Sequence, residues 1–198
     1  MITFDAKTHT YHIDNIKVKS VTQVLQEERF IDFSKVPRDI LQRALAFGTA
    51  GHKVTELYDL DDLLEGSLDP ALRPYLDAWI KFKKDTKLII EGIEEKVGSK
   101  KYYFAGRLDR RAIVKEAKRT VIDIKLGEIT RASALQTAAY QEAFNEGRKL
   151  KEKIKDRLVV QLKGDGNYYL PPKDFYKKSD FGVFLSALNC INFRGQGL

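Results

Sequence analysis

The sequence predicts a single α/β (α+β) domain covering residues 1–198. Three observations support this class: helical periodicity dominates the first 86 residues, strand-like runs begin at residue 88, and helix, strands and helix then follow in order. A chain of 198 residues suits one domain and is long enough to bury a core.

The N-terminal half is predicted to be a hairpin followed by helices. Residues 10–18 alternate about Asp14-Asn15, a pair typical of a tight hairpin turn. Ser20 then begins a helix, with Gln23 at the spacing of a capping box. Further helices are expected from Pro37 toward Gly48, over 47–64 and over 72–83.

The C-terminal half is predicted to supply most of the sheet. Strands are expected over 88–97, over 101–109 with a continuation at 111–114, and over 120–125, with the charged residues 115–119 as an exposed turn. A helix over 133–150, a hairpin of 158–162 and 168–170, and a closing helix over 181–192 complete the chain.

The composition restricts the partners and cofactors. Lys and Arg total 35 against 28 Asp and Glu, a net charge of +7, which favours a polyanion such as nucleic acid, although solubility alone is an alternative. Cys190 is the single cysteine, so an intrachain disulfide and a thiolate zinc or iron–sulfur site are excluded. The sequence lacks a phosphate-binding loop motif, so no nucleotide cofactor is predicted.

A membrane location is not expected. No apolar stretch approaches the length that spans a bilayer, and the first residues lack the pattern of a signal peptide. We therefore expect a cytoplasmic, or more broadly intracellular, protein.

Two acidic residues and a lysine form the strongest chemical pattern. Asp109 ends one apolar strand, and Asp123 lies inside another, two residues before Lys125. Strand alternation directs Asp123 and Lys125 to the same face, and burying such a pair costs free energy that packing alone does not explain. Carboxylates on neighbouring strands suit a divalent cation, although an isolated Asp-x-Lys is more often a surface strand.

Three further residues have both a structural and a functional interpretation. His52 follows the small residues Gly48 and Gly51, which permit close approach of another element or a metal, but a lone histidine is usually structural. Gln136 and Tyr140 lie one helical turn apart and could contact phosphate or Lys125, or simply belong to an amphipathic helix.

Together these motifs resemble a known family. The order Gly-x-x-x-His (48–52), Gly-x-x-Asp (106–109), Asp-x-Lys (123–125) and Gln-x-x-x-Tyr (136–140) is similar to the RecB-like branch of the PD-(D/E)XK nuclease superfamily, of the phage and bacterial type without an iron–sulfur cluster. The resemblance implies a restriction-endonuclease-like core, with a central mixed β-sheet flanked by helices.

The resemblance also implies roles for individual residues. His52, Asp109, Asp123 and the carbonyl of Ile124 would bind Mg²⁺ or Mn²⁺, and Lys125 would orient or activate the attacking water. Gln136 and Tyr140 would support Lys125 and hold the nucleic-acid backbone. A second acidic ligand would be Glu94, with Glu95 as its rival.

The implied activity is metal-dependent hydrolysis of single- or double-stranded DNA. The resemblance favours an exonuclease of recombination, repair or phage replication, encoded by a phage or a bacterium and acting beside a partner protein. The alternatives are a structure-selective or restriction-type endonuclease, and an inactive nucleic-acid-binding module, against which the intact Asp109, Asp123 and Lys125 argue. Candidate phosphate contacts are Arg43, Lys53, Arg107, Arg110, Arg131 and Lys163.

Overall fold

The computed structural model describes residues 1–114 and 118–195. Within these residues, five α-helices flank one mixed sheet of eight strands. The strands are β1 (Ile2–Asp5), β2 (Thr10–Ile13), β3 (Ile16–Ser20), β4 (Ile89–Ser99), β5 (Phe104–Val114), β6 (Lys118–Lys125), β7 (Asp156–Leu162) and β8 (Tyr168–Tyr169). The helices are α1 (Val21–Glu27), α2 (Arg38–Asp59), α3 (Arg73–Thr86), α4 (Arg131–Asn145) and α5 (Asp180–Gly195).

The sheet has the order β1-β2-β3-β5-β6-β7-β8, and β4 pairs with β5 outside this path. The pairs β3–β5 and β6–β7 are parallel, whereas the other pairs are antiparallel. This mixed sheet with helices on both faces is consistent with a restriction-endonuclease-like fold, as the sequence predicted.

Each face of the sheet buries its own apolar cluster. Helices α1, α4 and α5 cover one face, where Val121 of β6 is fully buried. Helix α3 covers the other face, where Trp79 and Phe82 pack against Ile122 and Ile124. Burial of each such large side chain contributes roughly 2–3 kcal/mol. Since side chains alternate along β6, Asp123 and Lys125 face α4 with Val121.

The local signals at the N-terminus are confirmed. Asp14 and Asn15 have positive φ angles of 49° and 69°, as the tight turn between β2 and β3 requires. Ser20 accepts a hydrogen bond from the Gln23 backbone, and the Gln23 side chain accepts one from Ser20 N, which completes the capping box before α1.

Two helix predictions are wrong in their boundaries. The two helices expected over 37–64 are one continuous helix, α2, which ends at Asp59, so His52 lies in the helix interior rather than at a helix start. Helix α4 ends at Asn145 instead of residue 150, because Gly147 takes a left-handed φ of 71° that an α-helix does not continue through.

The expected turn at 115–119 falls partly on residues 115–117, which lie outside the described residues, while β6 already begins at Lys118. In the described part of the chain, no helix combines the length and the apolar character needed to cross a membrane.

Candidate metal site and nucleic-acid cleft

The predicted site residues meet where β5 and β6 separate. The antiparallel ladder between these strands ends at the pair Arg110–Ile122. Beyond it, Asp109 Oδ2 accepts a hydrogen bond of 2.7 Å from Ile124 N in place of a ladder bond. Because N–H and C=O of one strand residue project to the same edge, the Ile124 carbonyl also projects toward Asp109.

A histidine and two carboxylates cluster at this point. One ligand atom from each of His52, Glu94 and Asp109 lies within 4.8 Å of the other two, and His52 Nδ1 is 3.5 Å from Asp109 Oδ2. The register sets Glu94 between the pairs Ile93–Arg110 and Glu95–Leu108, across from Asp109. Like charges across a ladder destabilise it, so this arrangement suits a cation.

Glu94 carries two signs of an unusual environment. Its φ of 50° lies in the left-handed region, which costs free energy for a residue with a Cβ and is common at functional sites. Burial, with the nearby charge of Asp109, raises the pKa of the Glu94 carboxyl. Arg107 and Arg110 lie 3.7 Å and 3.4 Å from its oxygens and offset part of this cost.

Glu95, the rival of Glu94, points away from the cluster. Its carboxylate receives two hydrogen bonds from the Arg111 guanidinium, at 2.8 Å and 3.0 Å. Neighbouring residues of a strand face opposite sides, and Glu94 is the one that faces Asp109. The structure therefore favours Glu94 over Glu95 as an acidic ligand.

Asp123 and Lys125 form a buried ion pair beside this cluster. Lys125 Nζ lies 3.1 Å from Asp123 Oδ1 and 2.9 Å from Oδ2, and the Asp123 side chain is only 2% exposed. Within the described residues, the buried Asp123 Oδ2 accepts no hydrogen bond of regular geometry, and its contact with Lys125 Nζ is an ion pair. A buried carboxylate whose second oxygen has this ion pair but no hydrogen bond keeps lone pairs available for a cation.

The pKa values of this pair follow from burial and from neighbouring charge. Burial raises the pKa of Asp123 to about 6, and Asp109 adds to the increase while Lys125 opposes it. Burial alone would lower the pKa of Lys125, but the attraction of Asp123 and Asp109 outweighs burial and raises it. Lys125 is therefore a cation at neutral pH.

Helix α4 holds Lys125 through a chain of hydrogen bonds. Lys125 Nζ donates to Gln136 Oε1 at 3.0 Å, and Gln136 Nε2 donates to the Tyr140 hydroxyl at 3.0 Å. Burial raises the pKa of the Tyr140 phenol, which keeps it protonated. A Cβ at Gly106 would lie 2.6 Å from the Tyr140 ring, so glycine at this position permits the close packing of α4 on β5.

Helix α2 approaches the end of β6 at Gly51. A Cβ there would meet Leu126 Cδ2 at 2.1 Å, whereas nothing lies within 4 Å of a Cβ at Gly48. The sequence suggested that a small residue before His52 permits another element to approach closely, and that residue is Gly51, which packs against Leu126. This packing brings the His52 imidazole, which is 31% exposed, to the metal cluster.

The residues predicted to contact phosphate lie in different environments in the structure. Arg110 is fully buried and bonds Asp59, Thr55 and the Asp109 carbonyl, so its assignment as a nucleic-acid contact is wrong. Arg110 faces the α3 side of the sheet, where its guanidinium lies 5.7 Å from the centre of the Trp79 ring.

Arg107 is 40% exposed and lines the site cleft, as does the exposed Lys53. The remaining candidates are exposed but are not among the residues that line the cleft. Arg131 pairs with Asp180, Arg43 pairs with Asp39, and Lys163 lies over the Tyr169 ring.

The side chains of the metal site open into one large cleft. It has a volume of about 1330 Å³, and His52, Glu94, Asp109, Asp123 and Lys125 line it. Aromatic residues line it as well, among them Phe4, His9, Tyr11, Phe30 and Phe33. Sequence reasoning missed these aromatic residues because their spacing does not distinguish a cleft wall from a core.

The chemistry of the donors fits a divalent cation. Three carboxylates and one imidazole lie together beside the ammonium group of Lys125, which pairs with Asp123. Mg²⁺ and Mn²⁺ prefer carboxylate, carbonyl and imidazole ligands, all of which are present here.

A mixed sheet that presents such a donor set where two central strands separate defines a class, the metal-dependent nucleases with a restriction-endonuclease-like fold. The family model described as the PD-(D/E)XK nuclease superfamily matches residues 23–184, a range that includes every residue from His52 to Tyr140 discussed above. The chain belongs to this superfamily, whose members are metal-dependent nucleases acting on nucleic acids. A search of the curated proteins finds no match to the chain.

Proposed function

We propose that this chain is a DNA exonuclease that uses Mg²⁺ or Mn²⁺ to hydrolyse phosphodiester bonds. The observation that carries the proposal is the cluster of His52, Glu94 and Asp109, whose ligand atoms lie within 4.8 Å of one another beside the buried pair of Asp123 and the cationic Lys125. Two carboxylates and an imidazole held this close together suit a divalent cation, because the carboxylates would otherwise repel each other.

The residues that would hold the cation are His52, Asp109, Asp123 and the Ile124 carbonyl, with Glu94 as a further acidic ligand. When bound, a divalent cation neutralises phosphoryl charge and makes a bound water more acidic. The hydrogen bond from Ile124 N to Asp109 Oδ2 holds that carboxylate against β6, which orients it before substrate arrives.

Lys125 acts as a positioned cation. Its raised pKa keeps it protonated, so it donates hydrogen bonds to the attacking water and to a phosphoryl oxygen instead of accepting a proton. Gln136 orients it by accepting one of its protons, and Tyr140 in turn fixes the Gln136 amide. Both Gln136 and Tyr140 line the cleft, which supports a contact with the DNA backbone.

The RecB-like order of the four motifs supports exonuclease over endonuclease action. It also supports a role in recombination, repair or phage replication inside the cell, together with a partner protein of that process. The net charge of +7 agrees with a polyanionic substrate.

The test is cleavage of end-labelled DNA by the full-length protein. We expect degradation of linear DNA in Mn²⁺ or Mg²⁺ and none in EDTA, with Asp123→Ala and Lys125→Ala each reducing the rate at least ~10³-fold. Covalently closed circular DNA should resist an exonuclease, and an RNA strand of the same sequence tests the preference for DNA.

A matched control is the exposed pair Asp14 and Lys100, which also joins a carboxylate and an ammonium group, at 2.6 Å. Asp14→Ala and Lys100→Ala should keep full activity. Continued cleavage by a folded Asp123→Ala or Lys125→Ala protein would refute the assignment of the site. Rapid nicking of closed circular DNA would refute exonuclease action but leave the nuclease activity standing.

A further inference from the structure

The cleft has an aromatic wall outside the metal site. Phe30 and Phe33 lie in the segment 28–37 between α1 and α2, line the cleft, and are 41% and 38% exposed. In the described structure neither ring packs against another aromatic ring, in contrast to Phe104 and Phe184, whose rings meet in the core 5.0 Å apart. The wall therefore presents ring surface to whatever enters the cleft.

A second group of rings reaches the same cleft from the N-terminal strands. Phe4 and His9 meet edge to face at 5.1 Å, and the Arg107 guanidinium lies 5.2 Å from the Phe4 ring centre. Both rings and Arg107 line the cleft. A guanidinium stacked on a ring offers a flat surface and a positive charge together, which suits a nucleotide.

Charge in the cleft argues against a groove built to grip duplex phosphates. Outside the metal site, the cleft-lining residues supply three cations and three carboxylates, which balance. They are Arg29, Lys53 and Arg107 against Asp32, Glu56 and Glu128. Binding of duplex DNA relies on an excess of cations along the backbone, because a duplex keeps its base faces stacked on one another.

Unpaired nucleotides match these walls better. Every unpaired base has a free π-face, and stacking on aromatic side chains supplies much of the affinity for single strands without sequence preference. Nucleotides that flank a phosphate held at the metal site must pass along the cleft, where rings rather than cations meet them.

We propose that the cleft binds single-stranded DNA, with Phe30 and Phe33 stacking on bases beside the cleaved phosphate. The inference rests on the proposed function, because it takes the metal site as the place where the strand is held. The chain would then act on single strands, or on duplex ends whose terminal pairs have opened.

The experiment measures binding and cleavage separately. Fluorescence anisotropy in Ca²⁺, with the DNA checked for intactness on a gel, follows a labelled 20-nucleotide oligo(dT) and a blunt duplex of the same length. We expect the wild type to prefer the single strand. The double variant Phe30→Ala/Phe33→Ala should bind the single strand about 10-fold or more weakly and bind the duplex unchanged.

Two further variants separate stacking from other effects. Phe30→Leu/Phe33→Leu keeps apolar volume but removes the rings, and it should weaken single-strand binding nearly as much. Phe193→Ala removes a ring that is 73% exposed on α5 and is not among the cleft-lining residues, and it should bind like the wild type. Thermal melting checks that each variant folds.

Equal or tighter binding of the duplex by the wild type, or unchanged single-strand binding by both double variants, would overturn the inference. If metal-dependent cleavage persists in that case, the proposed nuclease function stands and only the aromatic wall is rejected. Absence of cleavage under every metal condition would reject the proposed function itself.

Discussion

Asp109 and Arg110 are neighbours on β5, and each belongs to its own cluster of charge, although Arg110 also lies 3.4 Å from Glu94. The Arg110 cluster joins Asp59, whose side chain is fully buried, to Arg110 Nε at 2.7 Å, Lys83 Nζ at 2.6 Å and the Trp79 indole nitrogen at 3.1 Å. The Asp109 cluster contains three carboxylates, the His52 imidazole and the Lys125 ammonium group, which pairs with Asp123.

The Arg110 cluster stabilises the fold, whereas the Asp109 cluster is the candidate metal site. In the Arg110 cluster both oxygens of Asp59 accept hydrogen bonds, and Arg110 ties β5 to α2, the helix that also carries His52. Breaking such a pair strands a buried charge. In the Asp109 cluster, Asp109 has no lysine or arginine within ion-pair distance in the described part of the chain, only His52 at 3.5 Å, which favours a bound cation. Two groups of charge around adjacent residues of one strand thus serve different purposes.

The largest expected effect is on stability, from Asp59→Ala. Removal of the Asp59 carboxylate leaves Arg110 buried without its main partner, which should lower the free energy of unfolding by about 3–5 kcal/mol. Urea denaturation measures the change. Asp62→Ala, at an exposed residue just beyond α2, is the control and should change stability little. A loss no larger than that of the control would mean that the cluster contributes nothing to the fold.

The second prediction concerns Asp123→Asn in metal-free protein. Because the folded pKa of about 6 exceeds the ordinary 3.8, the folded state binds the proton more tightly than the unfolded state. This stabilisation is present at low pH and is lost as pH rises through about 6. Asparagine avoids that loss, so the variant should exceed the wild type by roughly 2–3 kcal/mol at about pH 7.5 and by much less near pH 4.

Urea denaturation in EDTA at the two pH values tests this sign. A variant that is less stable than the wild type at neutral pH would contradict the interpretation of Asp123 as a strained, ionised carboxylate. Adding a divalent cation should reduce the difference in the free energy of unfolding between the variant and the wild type, since the cation stabilises the wild type preferentially.

The smallest effect compares two adjacent glutamates. Glu94→Gln should weaken metal binding about 10-fold, because it removes a carboxylate from the cluster. Glu95→Gln should change it less than about 2-fold, since its partner is Arg111, away from the site. Titration calorimetry with Mn²⁺ measures both. Equal effects of the two substitutions would show that the cluster does not use Glu94.

Local signals in the chain were sufficient for much of the fold. The turn at Asp14-Asn15, the capping box of Ser20 and Gln23 and the shared face of Asp123 and Lys125 follow from backbone geometry within a few residues, which neighbouring sequence controls directly. The order of the four motifs likewise led to the superfamily that the family model matches.

Long-range packing decided the rest. Arg107 and Arg110 both lie near Glu94. Only Arg110 also contacts Asp59 and Trp79, each more than thirty residues away in sequence, and these contacts bury it while Arg107 stays in the cleft. The choice of Glu94 over Glu95 similarly depends on the register with β5. These outcomes depend on which residues, distant in sequence, contact each other in the fold, and the periodicity of the sequence does not encode those contacts.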